Sequence, residues 1–186
     1  MICGVLLAAG SGSRFSGPTH KLLAPIDGEP VAARSLRALL AAGFDRTVVV
    51  TGAADLSSVL PDDAGVIVVA NPRHDEGMAT SLEFAIGVAR NEGCDVVVVG
   101  LADQPFDDPA DWQRVAAAEA PIAVATYGGR QRNPVRLHRS VWPLLPLTGD
   151  EGARPVLRVR PELIQPIACE GLPDDIDTVE DLTRWS

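Results

Sequence analysis

The feature that most constrains the fold is an alternation between short runs rich in Val and Ile and longer segments with helical spacing. The helical segments are residues 30–42, 78–91 and 109–119. Because the apolar runs have no polar face, they are typical of strands in a mostly parallel sheet covered by helices on both sides. In such sheets ligands bind beyond the carboxyl ends of the strands. The runs are residues 2–9, 47–51, 66–70, 95–101 and 122–126.

The second half of the chain is less regular. A Gly-Gly turn at 128–129 precedes an expected short strand around 134–137. We expect short helices near 140–145 and 151–159, a strand at 164–169 and a last helix that begins near Thr178. With 186 residues, of which 46% are hydrophobic, the chain is predicted to form a single α/β domain over residues 1–186, with a Rossmann-like sheet.

Composition narrows the function. The formal net charge of −9 opposes binding to nucleic acid or to an anionic membrane. No window approaches the ~18 consecutive apolar residues of a membrane span, and no basic region precedes the first apolar run. Three cysteines lack CxxC spacing, which predicts neither a disulfide framework nor a zinc site. We therefore expect a cytoplasmic protein without nucleic-acid or membrane partners.

The strongest chemical signal is the segment LLAAGSGSRFSGPTHKLLAPIDGEP at residues 6–30. The glycines and serines at 10–13 leave the backbone free to approach a polyphosphate, whose charge exposed N–H groups can bind. Arg14 and Lys21 add full positive charges, and Lys21 is the single lysine among sixteen Lys and Arg residues. The alternative is a simple turn after a strand. The segment is neither a dinucleotide fingerprint, because GxGxxG is incomplete, nor a P-loop, because GK[ST] is missing.

Residues 7–28 resemble the signature LAAGxSxRFG…DKLLAPLxG of the cytidylyl- and guanylyltransferases of the molybdenum cofactor, which have a nucleotide-diphospho-sugar-transferase-like fold. The resemblance covers nearly the whole chain, because later blocks match in the same order. These blocks are GMATSL (77–82), LADQP (101–105), RNPV (132–135), GDEGAR (149–154) and DIDTVEDL (175–182).

The resemblance implies a Mg²⁺ site. Asp103 follows a buried strand, and a carboxylate there can hold the ion against nucleotide phosphates. Asp177 matches the second metal ligand of the family, with Asp175 as the reserve. From the residues alone, a turn or helix cap before Pro105 is the preferred role of Asp103, and residues 174–177 form a solvated acidic turn that caps the last helix.

The resemblance also assigns binding residues. The expected catalytic residues are Arg14, Lys21 and Asp103. Arg154 is expected to bind the acceptor, or alternatively to form a salt bridge with Asp150 or Glu151. His20 and His74 are interpreted as ordinary surface residues. The expected acceptor-binding residues are Arg130, Arg132, Asn133 and Arg154. The expected nucleotide-binding residues are Leu7, Ala8, Ala9, Gly10, Ser11, Gly12, Arg14, Lys21, Gly77 and Ser81.

The implied reaction is transfer of CMP from CTP to the phosphate of molybdopterin, with release of pyrophosphate. The pair Ala9-Gly10 favours CTP, because the guanylyl enzymes of the family usually carry Gly-Gly there. The alternatives are guanylyl transfer to molybdopterin or to a phospholactate-like acid, and a non-catalytic cofactor carrier. A transient contact with a molybdoenzyme or its chaperone is the expected protein partnership.

Overall fold

The computed structural model describes residues 1–61 and 65–185. The strands are β1 (Ile2–Ala8), β2 (Pro25–Ile26), β3 (Glu29–Pro30), β4 (Arg46–Thr51), β5 (Val66–Ala70), β6 (Val96–Leu101), β7 (Ile122–Tyr127), β8 (Arg130–His138) and β9 (Ile164–Ala168). The α-helices are α1 (Val31–Ala41), α2 (Met78–Asn91), α3 (Pro109–Ala116), α4 (Arg154–Val159) and α5 (Val179–Arg184). Single 3₁₀ segments cover Lys21–Leu23, His74–Glu76, Arg139–Leu144 and Pro161–Leu163.

Seven of these strands form one sheet in the order β5-β4-β1-β6-β8-β7-β9. β1 lies between β4 and β6 and pairs with both in parallel, while β8 runs antiparallel to β6 and β7. The predicted mostly parallel α/β fold is therefore confirmed. In the register of β1 and β6, Leu7 lies opposite Leu101, so both strands end at the same edge of the sheet.

Alternate residues of β1 pack on opposite faces of the sheet. Leu6 lies in the core that contains Leu36 of α1 and Trp112 of α3. Leu7 lies in the other core, with Leu82 of α2. Each such buried side chain contributes ~1.5–3 kcal/mol, so β1 is held from both sides. The segment that follows β1 therefore leaves from a rigid position.

Several elements differ from their predicted bounds for local reasons. The segment predicted as a helix at 140–145 is 3₁₀, since Pro143 inside it lacks the N–H of a regular helix. β8 begins earlier than predicted because Gly128 and Gly129, with φ of 55° and 79°, form a tight turn that pairs Tyr127 with Arg130. In the described ranges, no helix combines the length and apolar character needed to cross a membrane.

Candidate functional site

Two cavities open where β1 and β6 end. We call the first the loop cavity: it has a volume of about 610 Å³ and lies under residues 9–14. The second, the arginine cavity, has a volume of about 380 Å³ and contains the side chains of Arg132, Arg154 and Arg158 in its wall. The two are compartments of one cleft, because both are lined by Leu7, Met78, Leu101 and Asp150.

An ion cluster forms one wall of the loop cavity. The Nζ of Lys21 donates to Asp103 Oδ2 at 2.6 Å and to Asp177 Oδ1 at 2.9 Å. Arg14 Nη2 lies 3.0 Å from Asp177 Oδ2. Burial by itself lowers the pKa of Lys21, but the charges and hydrogen bonds of the two carboxylates outweigh it and raise that pKa above its ordinary value. Lys21 therefore keeps its charge although it is buried.

The C-terminal segment delivers Asp177 to this cluster. Ile176 is fully buried, and its N–H donates to the carbonyl oxygen of Asp103 at 2.9 Å. Thr178 then caps α5 in a capping box with Asp181. Asp177 thus lines the loop cavity, whereas Asp175 lines the arginine cavity and accepts a hydrogen bond of 2.6 Å from Gln104 Nε2. The two candidate metal ligands in this segment therefore lie in the walls of different cavities.

The carboxylates of Asp103 and Asp177 are suited to bind a divalent ion that substrate phosphates also coordinate. Asp103 Oδ1 is buried and has no hydrogen-bond partner within the described residues. Over residues 1–61 and 65–185, no group of three or more His, Cys, Asp or Glu side chains is arranged to hold a metal ion. Mg²⁺ is usually bound by only one or two carboxylates together with substrate phosphates and water, so the donor set of Asp103 and Asp177 fits this mode.

The loop after β1 rests on His20. The His20 Nε2 lies 3.2 Å from the carbonyl oxygen of Gly10, and its Nδ1 accepts a bond of 3.3 Å from the N–H of Leu22. His74 lines the loop cavity and its Nδ1 is buried. The interpretation of both histidines as ordinary surface residues is therefore wrong. Their neighbours are backbone groups and residues that line the cavity, and such contacts cannot be predicted from the spacing of residues in the sequence.

The N-terminus of α2 is held by the loop that contains the GDEGAR block. Gly77 has a φ of 107°, and a Cβ atom there would lie 2.5 Å from the carbonyl carbon of Gly149. The N–H of Ala79 donates to Gly149 O at 2.9 Å, and the Ala79 side chain is fully buried. Ser81 accepts a bond of 2.9 Å from Asn71 Nδ2, so the Ser81 hydroxyl proton can be donated into the loop cavity.

Most residues expected to bind the nucleotide line the loop cavity, with Ala8 as the exception. The Ala8 side chain is buried on the opposite face of the sheet, in the core with α1 and α3. The methyl group of Ala9 packs beside Gly52, where an added Cβ would lie 2.8 Å from it. The expected residues on the wall are Leu7, Ala9, Gly10, Ser11, Gly12, Arg14, Lys21, Gly77 and Ser81.

Of the residues expected to bind the acceptor, Arg132, Asn133 and Arg154 line the arginine cavity. Arg130 does not, because it is exposed at the turn where β8 begins. Glu151 pairs with Arg158 at 2.7 Å rather than with Arg154, its alternative partner in the sequence analysis. Sequence reasoning missed several residues of this wall, although most lie inside or beside the matched blocks. They are Gln104, Gln131 and Arg158, whereas Asp150 and Asp175 of the same wall were expected as a salt-bridge partner of Arg154 and as the reserve metal ligand.

The family model described as "MobA-like NTP transferase domain" matches residues 4–166. The chain belongs to this family. A relative in the family, nicotine blue oxidoreductase of Paenarthrobacter nicotinovorans, is 31% identical over 98% of this chain and 95% of its own length. The purine catabolism protein PucB of Bacillus subtilis is 30% identical over 97% of this chain and 93% of its own length.

Solved structures agree with this membership. A nucleotidyl transferase from Methanothermobacter thermautotroptrophicus is 27% identical and superposes with a TM-score of 0.84 over 99% of this chain and 95% of its own. Rv0371c from Mycobacterium tuberculosis in complex with manganese is 28% identical, with a TM-score of 0.80 over 99% of this chain and 97% of its own. A divalent metal is therefore bound by a structural neighbour.

Proposed function

We propose that the protein transfers CMP from CTP to the phosphate of molybdopterin and releases pyrophosphate, using Mg²⁺. One observation carries the proposal: the cluster of Lys21, Asp103 and Asp177 lies beside a glycine loop in one compartment, and an arginine-lined compartment adjoins it. Two anionic substrates bound in adjoining compartments would meet near this cluster. The family membership supports nucleotidyl transfer as the reaction class.

The loop cavity would take the triphosphate. The backbone at residues 10–13 offers N–H groups, and Lys21 and Arg14 can turn from the carboxylates to the phosphate oxygens. These groups would stabilise the negative charge that develops on the departing pyrophosphate. A divalent ion held by Asp103 and Asp177 would neutralise phosphate charge and make the α-phosphorus more electrophilic.

The arginine cavity would take the acceptor. Its walls include Leu82, Val99 and Val124, which suit a flat heterocycle, whereas Arg132 and Arg154 suit a phosphate. A new bond would form between an acceptor phosphate oxygen and the α-phosphorus, while the bond to the bridging oxygen of pyrophosphate breaks. Since a phosphate monoester is already anionic, the step needs orientation more than a strong general base.

The test is a screen of CTP, GTP, ATP and UTP against purified molybdopterin, with Mg²⁺ or Mn²⁺ and with pyrophosphate as the readout. We expect release with CTP that depends on both the metal and molybdopterin. Preference for GTP would favour the guanylyl alternative, for which the phospholactate-like acid is the second acceptor to try. Nucleotide binding without pyrophosphate release under any combination would favour a non-catalytic carrier and contradict the proposal.

The name of the nicotine blue oxidoreductase relative motivates a second arm of this screen. A reduced nicotinamide nucleotide, offered with an organic dye as oxidant, should not be consumed if the protein is a transferase. Oxidation of the reduced nucleotide, without release of pyrophosphate, would favour an oxidoreductase. We further propose that the transferase works in the cytoplasm and passes its product to a molybdoenzyme or its chaperone by transient contact.

A further inference from the structure

His20 bridges two parts of the loop-cavity wall. On one side its Nε2 lies 3.2 Å from Gly10 O in the glycine loop. On the other side its Nδ1 accepts from the N–H of Leu22 at 3.3 Å and so caps the 3₁₀ segment Lys21–Leu23. A neutral imidazole with its proton on Nε2 satisfies both contacts, because Nε2 then donates while Nδ1 accepts.

The same ring supports the loop by packing. Gly12 has a φ of 63°, and a Cβ atom at this position would lie 2.9 Å from His20 Nε2. The backbone of the loop therefore rests directly on the imidazole. A smaller side chain at residue 20 would leave a gap under the loop, and a glycine-containing loop has much conformational freedom to regain.

Lys21 and the loop are fixed by different contacts. The ammonium of Lys21 is held by Asp103 and Asp177. The bond of 2.9 Å from Phe15 N to Gly12 O closes the loop on itself, whereas the His20 contact ties the loop to the segment that carries Lys21. The relative position of the loop amides and the lysine charge thus depends on His20.

We propose that His20 is a positioning residue, which holds the glycine loop in register with Lys21 so that both contact the same polyphosphate. The inference rests on the proposed function, since it takes the loop cavity as the site of the nucleotide phosphates. It predicts a loss in nucleotide binding rather than in acceptor binding, because Gly10 and Gly12, which His20 contacts, line the loop cavity and not the arginine cavity.

The test compares His20→Ala, His20→Asn and His20→Gln. Asn keeps an acceptor near the Nδ1 position but cannot reach Gly10, whereas the Gln amide can donate to Gly10 O. The measured quantities are the Kd of CTP with Mg²⁺, the Kd of inorganic tripolyphosphate with Mg²⁺, and the KM of the acceptor. We expect the Ala and Asn variants to raise both Kd values about tenfold, as for loss of a positioned hydrogen bond, and the Gln variant to stay within about threefold of wild type. The KM of the acceptor should not change.

His138 provides a matched control. It caps the 3₁₀ segment Arg139–Leu144 in the same way, since its Nδ1 accepts from Ser140 N at 3.3 Å, and it lies outside both cavity walls. His138→Ala should leave both Kd values unchanged. If it raises them as much as His20→Ala does, the effect is a general loss of a cap and the inference is wrong.

Two further outcomes overturn the inference. One is a wild-type Kd for tripolyphosphate in all three His20 variants, and the other is full recovery by Asn but not by Gln. Pyrophosphate release by the wild-type protein is measured separately and tests the proposed function. A protein that releases pyrophosphate normally with any residue at position 20 would refute the role of His20 and leave the proposed function standing.

Discussion

Lys21 makes two short contacts in a buried site, at 2.6 Å to Asp103 and 2.9 Å to Asp177. Lys21→Arg keeps the charge but introduces a larger planar group that does not fit between these carboxylates. We expect kcat/KM for the nucleotide to fall by at least about tenfold. Arg37→Lys makes a comparable exchange in the ion pair with Glu29, outside both cavity walls, and should leave the kinetics unchanged. Wild-type kinetics in Lys21→Arg would mean that the single lysine has no special role.

Ala9 lines the loop cavity, and its methyl group packs beside Gly52. Its removal in Ala9→Gly should make room for a purine and lower the ratio of kcat/KM for CTP to that for GTP. One methyl group changes discrimination by only ~1–3 kcal/mol, so partial relaxation is expected. Ala8→Gly deletes the neighbouring methyl on the other face of the sheet and should not move the ratio. The CTP assignment loses its main support if Ala9→Gly leaves the ratio unchanged.

Asp107 is a buried carboxyl behind the site, and neither of its oxygens has a well-formed hydrogen bond within the described residues. Burial, together with Asp111 and Asp175, raises its pKa to about 8. The unfolded chain ionises this group near pH ~4, so the group destabilises the fold increasingly as the pH rises from there to about 8. Asp107→Asn should therefore stabilise the protein, with no gain near pH ~4 and ~2–5 kcal/mol by pH ~8.

Denaturant unfolding at several pH values measures this effect. Asp55 supplies a control of opposite sign, because a hydrogen bond from Ser57 N lowers its pKa. The stability lost in Asp55→Asn should be present above the ordinary pKa of an aspartate and disappear as the pH falls. A stability difference for Asp107→Asn that is the same at every pH would show that the carboxyl is not neutral in the folded protein.

The C-terminal segment carries Asp175 and Asp177 on either side of the fully buried Ile176, and so places one carboxylate in the wall of each cavity. Ile176→Ala should lower the free energy of unfolding by ~2–5 kcal/mol. It should also reduce kcat at temperatures where the variant is fully folded, since Asp177 and Asp175 move with residue 176. Leu172→Ala removes an exposed side chain of the same segment and should change neither quantity. Normal turnover by folded Ile176→Ala would show that the segment does not position the site.

The strands of the sheet and the main helices could be predicted because burial on both faces leaves a strong pattern in composition. The hairpin of β2 and β3 could not, since strands of two residues have no periodicity. Arg130 lies outside the arginine cavity because the turn at Gly128 sets where β8 begins. The role of His20 depends on backbone groups of Gly10 and Leu22, which only the fold brings together. The order of the motifs in the sequence therefore predicted where the cleft lies. The positions of the side chains within the cleft could be determined only from the structure.

Over the whole molecule, a net charge of −9 repels polyanions, yet the cleft collects arginines and the lysine. The walls of the two cavities hold five cationic side chains and six carboxylates, so we expect a polyphosphate to bind there together with a divalent cation. The ion cluster lies where β6 ends, in the wall of the loop cavity, which adjoins the arginine cavity. We therefore expect Asp103, at the end of β6, to support phosphoryl transfer by binding a cation.

The most direct test is pyrophosphate release from CTP and molybdopterin by wild type, Asp103→Ala and Asp95→Ala. Asp95 lies at the opposite end of β6, where it pairs with Arg139 and the N-terminal amine, and it is the matched carboxylate. We predict that Asp103→Ala lowers turnover on the order of 10²–10³-fold with a nearly unchanged Tm, while Asp95→Ala keeps wild-type turnover. Near-normal turnover by folded Asp103→Ala would show that this carboxylate does not hold the metal for the reaction.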